Sequence, residues 1–102
     1  MSEALILITT ESSEKKAKNI AKSVIQKKLA ACVSLKNIYS IYKWEDDIEE
    51  SKEIEITIKS KPEFKDDLIE LIREMTSYEV PQIIYKKFNA ESKYHKWMTE
   101  TI

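Results

Sequence analysis

The 102-residue sequence contains no glycine, one cysteine, one histidine and two prolines. Without glycine it has neither a P-loop nor a dinucleotide-binding fingerprint, because both motifs need that residue where the backbone approaches phosphate. A single cysteine forms no internal disulfide, which fits a reducing compartment. Any left-handed turn position must fall to another residue, and Asp46, Asp47 and Asn89 are suitably placed for it.

Long apolar runs and an excess of basic charge are also lacking. Residues 1–13 show no charged-then-apolar leader pattern, and the longest apolar run, residues 4–8, is too short to cross a bilayer. The net charge of −1 and the pI near 5.9 argue against a nucleic-acid partner, which requires a concentrated basic face. We therefore expect a cytoplasmic protein that binds neither membrane nor nucleic acid.

What is present is typical of a single folded unit. The sequence is 42% hydrophobic and 34% charged, and a chain of this length buries roughly two-thirds of its unfolded surface. We expect one domain over residues 1–102. The apolar pattern predicts strands at residues 4–10, 32–44, 53–60 and 82–88, with helices after the first and third strands and a short helix at the end.

This order of elements predicts an α+β fold. Right-handed crossovers and a central antiparallel hairpin lead to a ferredoxin-like βαββαβ sandwich, in which two helices cover one face of a four-stranded antiparallel sheet, with an added C-terminal helix. In the long central hairpin, Val33 and Leu35 share one face while Ile38, Tyr42 and Trp44 fall on the other. Either a bulge or a strand that is apolar on both sides explains the shift. In the second case we expect another subunit to cover the surplus apolar surface.

Residues for acid–base or nucleophilic catalysis are scarce, so we predict no enzymatic activity. Cys32 and His95 are the only residues of their types, and we interpret His95 as an exposed side chain and Cys32 as more often structural than reactive. No local spacing indicates a zinc site or an EF-hand. The acidic cluster at residues 45–50 is interpreted as a solvated hairpin turn in preference to an oxygen-donor metal site.

Three motifs, "KLAACVSL", "IYSIYKW" and "YEVPQI", occur in order along the chain. Together they resemble the divalent-cation-tolerance (CutA) family over nearly the whole sequence. The resemblance implies a tight homotrimer, similar in architecture to the PII signalling proteins, whose long hairpins pair between neighbours. It also implies tolerance to divalent metals, with copper as the proposed ligand, and no required cofactor.

Carried over from the family, the motif positions are the seven residues Cys32, Tyr39, Trp44, Lys59, Tyr78, Glu79 and Pro81. The ligand-binding residues that the resemblance implies, in a cleft between subunits, are Cys32, Trp44, Lys59, Tyr78 and Glu79. The metal ligands are unknown, because this chain has Thr76 and Ser77 where relatives often carry histidine, and it lacks a first-strand cysteine. The alternative functions are a PII-like binder of a small ligand and a trimeric scaffold for a protein partner of unknown identity.

Overall fold

The computed structural model describes residues 2–102. A single turn of 3₁₀ helix at Pro62–Phe64 precedes the second α-helix. In chain order the strands and α-helices are β1 Glu3–Glu11, α1 Glu14–Gln26, β2 Cys32–Trp44, β3 Asp47–Ser60, α2 Lys65–Met75, β4 Ile84–Asn89 and α3 Ser92–Thr101.

The four strands form one sheet in the order β2-β3-β1-β4, and every neighbouring pair is antiparallel. The predicted α+β fold, with βαββαβ order and an added C-terminal helix, is therefore confirmed. The last strand begins two residues later than the pattern predicts, because the peptide after Pro81 does not pair with β1 until Ile84.

The main core lies between the sheet and the first two helices. Leu5 and Leu7 of β1 and Ile56 and Ile58 of β3 are almost fully buried, and they define what we call the helix face of the sheet. Six residues of α1 and α2 pack against them, namely Ala17, Ile20, Val24, Leu68, Leu71 and Ile72. The spacing of the helical residues places them on one side of each helix, so each helix buries one apolar stripe.

The central hairpin extends well beyond the rest of the sheet. β1 pairs with β3 only from Ile54 onward, so residues 47–53 pair with β2 alone and form with it a two-stranded ribbon. The β2–β3 register runs without interruption from Cys32↔Lys59 to Trp44↔Asp47. No bulge interrupts the described strand, and the ribbon is therefore apolar on both faces.

Exposure of the ribbon follows from this extension. On the side continuous with the helix face, Ile41 and Ile48 are 65% and 77% exposed. On the opposite side, here called the open face, Tyr42 and Trp44 are also exposed. Isolated two-stranded ribbons are marginally stable in water, so a ribbon with these side chains needs an additional covering surface.

The left-handed backbone positions are not those expected from residue type. Among the described residues, positive φ angles occur at Lys28 (58°) and Glu45 (57°), so the prediction of Asp46, Asp47 and Asn89 is wrong. Lys28 follows the end of α1, and its amide donates to the carbonyl of Ile25, the position where helices often end in a left-handed residue. Glu45 is the first residue of the two-residue turn between β2 and β3.

The third helix covers one end of the open face. Met98 is fully buried, and the Nε2 atom of His95 lies 3.1 Å from the carbonyl oxygen of Glu3 at the start of β1. His95 is half-buried and in contact with the backbone, so the expectation of an exposed side chain is wrong. No helix within residues 2–102 has both the length and the apolar character needed to cross a membrane.

Candidate functional site

A groove of about 510 Å³ lies between the ribbon and the peptide that follows α2. We call this peptide, residues 76–82, the connecting segment. Ser40, Tyr42 and Trp44 of β2 line one side of the groove, and the connecting segment forms the other. The groove exists because β1 ends at Glu11 while the hairpin continues, which leaves the segment to pass beside the ribbon.

Glu11 fixes the start of the connecting segment. Its side chain is fully buried, and its carboxylate accepts hydrogen bonds from the Ser77 amide at 3.0 Å, the Ser77 hydroxyl at 2.5 Å and the Ser12 amide at 2.9 Å. Burial by itself raises the pKa of Glu11, but these hydrogen bonds and the charge of Lys16 outweigh it and hold the pKa below its ordinary value. Glu11 is therefore an ionised anchor at the end of β1.

Tyr78 ties the same segment to the open face of the hairpin. Its hydroxyl donates to Glu53 Oε2 at 2.5 Å. Burial and the adjacent Glu53 carboxylate raise the pKa of Tyr78 above its ordinary value, so the phenol keeps its proton and remains a donor. The segment is held on both sides of the sheet, by Ser77 at the helix face and by Tyr78 at the open face.

The lining of the groove combines aromatic rings with carboxylates. Its charged members among the described residues are Glu49, Glu53 and Glu79, with no lysine or arginine. Glu49 lies directly across from Tyr42 in the β2–β3 pairing. The other lining residues are Thr10, Ile41, Val80 and Gln82. The groove thus presents an anionic, partly apolar surface.

A second cluster of predicted site residues lies at the opposite end of the hairpin. Cys32 pairs with Lys59 across the β2–β3 ladder, and the Lys59 Nζ atom lies 5.9 Å from the ring centroid of Tyr94 on α3. Burial, followed by the neighbouring Cys32, raises the pKa of Tyr94. Cys32 is a half-buried free cysteine.

Within one protomer the five predicted site residues do not meet. Trp44, Tyr78 and Glu79 line the groove, whereas Cys32 and Lys59 belong to the second cluster. Cys32 and Trp44 stand at opposite ends of β2, roughly 40 Å apart at the usual rise of a strand. The two groups come together only if different copies of the chain contribute them.

The sequence interpretation did not include Glu49, Glu53 and Tyr42 in the site. Glu53 alternates with isoleucines along the predicted strand at residues 53–60. The interpretation of residues 45–50 as a turn is wrong for Glu49, because β3 already begins at Asp47. The signal that was available is the register of a two-residue hairpin turn, which puts Tyr42 opposite Glu49. The approach of residues 76–82 has no comparable local signal.

The family model for the CutA1 divalent ion tolerance protein matches residues 5–101. The chain belongs to the CutA family. The divalent-cation tolerance protein CutA of Pyrococcus horikoshii is 32% identical over 97 residues, which cover 94% of this chain and 95% of that protein. Mouse protein CutA is 44% identical over 73 residues, and there the match covers 71% of this chain but only 41% of the mouse protein.

Solved CutA structures agree closely with the fold. The periplasmic divalent cation tolerance protein CutA from Archaeoglobus fulgidus superposes with a TM-score of 0.93 at 30% identity, covering 96% of this chain and 97% of that one. CutA1 from Oryza sativa gives a TM-score of 0.92 at 29% identity, with 97% and 93% covered. The family and the ferredoxin-like architecture are therefore both established for this chain.

The metal ion that the family name implies does not fit a single protomer. Within residues 2–102 no group of three histidine, cysteine, aspartate or glutamate side chains is placed to hold one. The Cys32 thiol is the kind of donor that copper prefers. The residue paired with Cys32 across the β2–β3 ladder is Lys59, whose positively charged ammonium group is not a metal ligand. A metal site would require donors from more than one copy.

Proposed function

We propose that this CutA-family chain acts as a non-enzymatic, cytoplasmic homotrimer in divalent-cation tolerance. The proposal includes no required cofactor and no nucleic-acid or membrane partner. Relatives carry the name divalent-cation tolerance protein, and one structural neighbour is described as periplasmic, a location we do not propose for this chain. The role in tolerance rests on this kinship, and the assembly rests on the protomer itself.

The ribbon is the observation that carries the trimer. Over residues 47–53, β3 has an edge without a partner strand among the described residues of the protomer, and β2 is an edge strand along its whole length. Ile41 and Ile48 are largely exposed on one side of this ribbon, and Tyr42 and Trp44 on the other. Long edges with apolar side chains favour pairing with another chain, and closed symmetry stops that pairing at a defined number.

Sedimentation velocity at micromolar concentration tests the assembly. We expect a species of three times the 12.0 kDa protomer mass. The Ile48→Glu variant should dissociate to protomers, because each buried isoleucine contributes about 1.5–3 kcal/mol and a buried unpaired carboxylate opposes assembly. Ile25→Glu is the matched control, since Ile25 is also exposed but lies on α1. A wild-type protomer that stays monomeric at this concentration would refute the trimer.

Binding of copper or another divalent metal forms the second part of the proposal, as a site shared between copies. Calorimetric titration of the trimer with Cu(II) and Zn(II) should give binding heats that Cys32→Ser weakens, because the thiolate is the softest donor in the chain. The same variant should leave the sedimentation profile unchanged. If wild type and Cys32→Ser give identical binding heats, Cys32 is not a metal ligand. If neither Cu(II) nor Zn(II) gives a binding heat, the proposal of metal binding is refuted.

The groove favours a second candidate function, that of a PII-like small-ligand binder. Its volume of about 510 Å³ is within the range of small-molecule sites, and its walls combine apolar side chains with a few polar groups. The groove lies on the open face of the ribbon, where a neighbouring copy would complete it. The trimer and the ligand site are compatible, because the groove is formed within one protomer and a neighbouring copy would add to its walls.

A further inference from the structure

The groove beside the ribbon has a chemical character that selects a class of ligand. We propose that it binds a small organic ammonium ion. This inference deepens the small-ligand candidate above and rests on the proposed assembly leaving the groove accessible. It differs from the metal proposal in both the ligand and the residues that contact it, which are Tyr42, Trp44, Glu49 and Glu79.

Within one protomer the charge of the lining opposes an anionic ligand. Its three carboxylates, from Glu49, Glu53 and Glu79, have no basic side chain among the other described lining residues. Glu53 is engaged by the hydroxyl of Tyr78. Glu49 and Glu79 are exposed, and neither forms a salt bridge within residues 2–102. Two carboxylates at the mouth of one groove are therefore left without a cation.

Aromatic rings provide the second attraction. Tyr42 and Trp44 are 44% and 40% exposed, and both line the groove. The negative face of an aromatic ring attracts a cation within about 6 Å of its centroid, and tryptophan does so most strongly. The protein uses this contact elsewhere, since Lys65 Nζ lies 5.0 Å from the ring centroid of Tyr85.

The same lining distinguishes an organic cation from a metal ion. The described residues hold no group of three donors at metal-binding separation, so Glu49, Glu53 and Glu79 do not converge on one point. Aromatic rings do not ligate a hard divalent ion, which needs several oxygen donors at short range. An alkylammonium ion spreads its contacts over ring faces, aliphatic walls and separate carboxylates, which matches the dispersed lining.

Fluorescence of Trp44 in the intact trimer tests the proposal. The Trp97→Phe background leaves Trp44 as the only tryptophan. The probes are n-butylammonium, neutral pentan-1-ol and anionic pentanoate, which have similar size and different charge. We expect n-butylammonium to bind at least about tenfold more tightly than pentan-1-ol, since both the rings and the carboxylates favour the cation, and pentanoate to give no saturable signal.

Charge-removing variants identify the contact. Glu49→Gln and Glu79→Gln should each weaken n-butylammonium binding severalfold without changing the response to pentan-1-ol. Glu63→Gln, an exposed carboxylate outside the groove lining, is the control and should bind as wild type does. Equal affinity for the cation and the alcohol, or unchanged affinity in both groove variants, overturns the ammonium proposal.

Failure of this inference is separable from failure of the proposed function. A protein that sediments as a trimer but does not respond to n-butylammonium has lost the ammonium proposal alone. A saturable ammonium response in a protein that sediments as a monomer keeps the groove and refutes the trimer. Sedimentation of each variant, measured in the same buffer, assigns the outcome.

Discussion

Replacement of Glu11 by glutamine should destabilise the protein in a way that depends on pH. The carboxylate is fully buried and accepts hydrogen bonds from the Ser77 amide, the Ser77 hydroxyl and the Ser12 amide. Glutamine has nearly the same shape, so the substitution removes the charge and one acceptor without leaving a cavity. The side-chain NH₂ group of the glutamine must point toward Ser77 or Ser12, whose own N–H and O–H groups donate to Glu11 in the wild type.

The magnitude follows from the number of bonds that glutamine cannot accept. The Oε2 atom of Glu11 accepts a hydrogen bond only from the Ser77 amide. An NH₂ group at the position of Oε2 would face the N–H group of Ser77, and neither group can accept a hydrogen bond from the other. A hydrogen bond to a charged group contributes about 1.5–3 kcal/mol, and a buried donor without a partner costs about 1–3 kcal/mol. Because the two overlap, we expect Glu11→Gln to lower the free energy of unfolding by about 2–4 kcal/mol at neutral pH.

The pH dependence has a definite sign. Because the folded state lowers the pKa of Glu11 from 4.5, its stabilising contribution is fully present above that value. The contribution decreases as pH falls below 4.5 through the lower folded pKa, where the folded protein also takes up the proton. The stability difference between wild type and Glu11→Gln should therefore be largest at neutral pH and become smaller in acid.

Urea unfolding followed by far-ultraviolet circular dichroism measures this difference at pH 7 and at about pH 3.5, at one fixed protein concentration because assembly is coupled to folding. Glu70→Gln is the control, since Glu70 is exposed on α2 and should change stability little at either pH. The reasoning is refuted if Glu11→Gln unfolds at the wild-type urea concentration at pH 7, or if its deficit is undiminished in acid.

Two further substitutions should increase stability. Lys28→Gly should raise the free energy of unfolding by about 0.5–1 kcal/mol, because Lys28 has a φ of 58° that a side chain disfavours. Lys27→Gly is the control and should lower the free energy of unfolding, because Lys27 has an ordinary φ of −82°. Urea unfolding measures both variants, and equal effects on stability would contradict the prediction. Thr9→Val should also stabilise, by about 1 kcal/mol, because the buried Thr9 hydroxyl has no hydrogen-bond partner among the described residues. Thr9→Ser keeps that hydroxyl and loses a methyl group, so it should be less stable than Thr9→Val in thermal unfolding. Equal stability of the two variants would show that the hydroxyl has a hydrogen-bond partner.

The central hairpin illustrates how far local pattern reaches. Isoleucines alternate with polar residues along the predicted strand at residues 53–60, and two of them, Ile56 and Ile58, are fully buried. The phase shift after Leu35 predicted either a bulge or a strand with two apolar faces, and the uninterrupted register leaves the second. Sequence alone did not separate these two alternatives, because a bulge and a change of covering surface produce the same pattern of apolar residues.

The candidate site shows the corresponding limit. Trp44, Tyr78 and Glu79 were identified from motif positions, and the structure places all three along one groove. The sequence did not show that these three residues lie far from Cys32 and Lys59. The order of the motifs along the chain does not indicate which residues lie at the same end of a long hairpin. Glu53 lines the groove and accepts a hydrogen bond from Tyr78. These two residues are 25 positions apart, so no local pattern indicates their contact.

The amino-acid sequence by itself determined the element order and the apolar stripe of each helix, since these follow from periodicity and from the sterics of neighbouring residues. It did not determine the length of the hairpin, because β3 begins at Asp47 rather than at the predicted residue 53. Tertiary structure alone decided where the connecting segment lies, why the buried Glu11 retains its charge and which side chains form the groove. Those features depend on contacts between residues far apart in the chain, and such contacts are specified by the packing of the whole fold rather than by any local pattern.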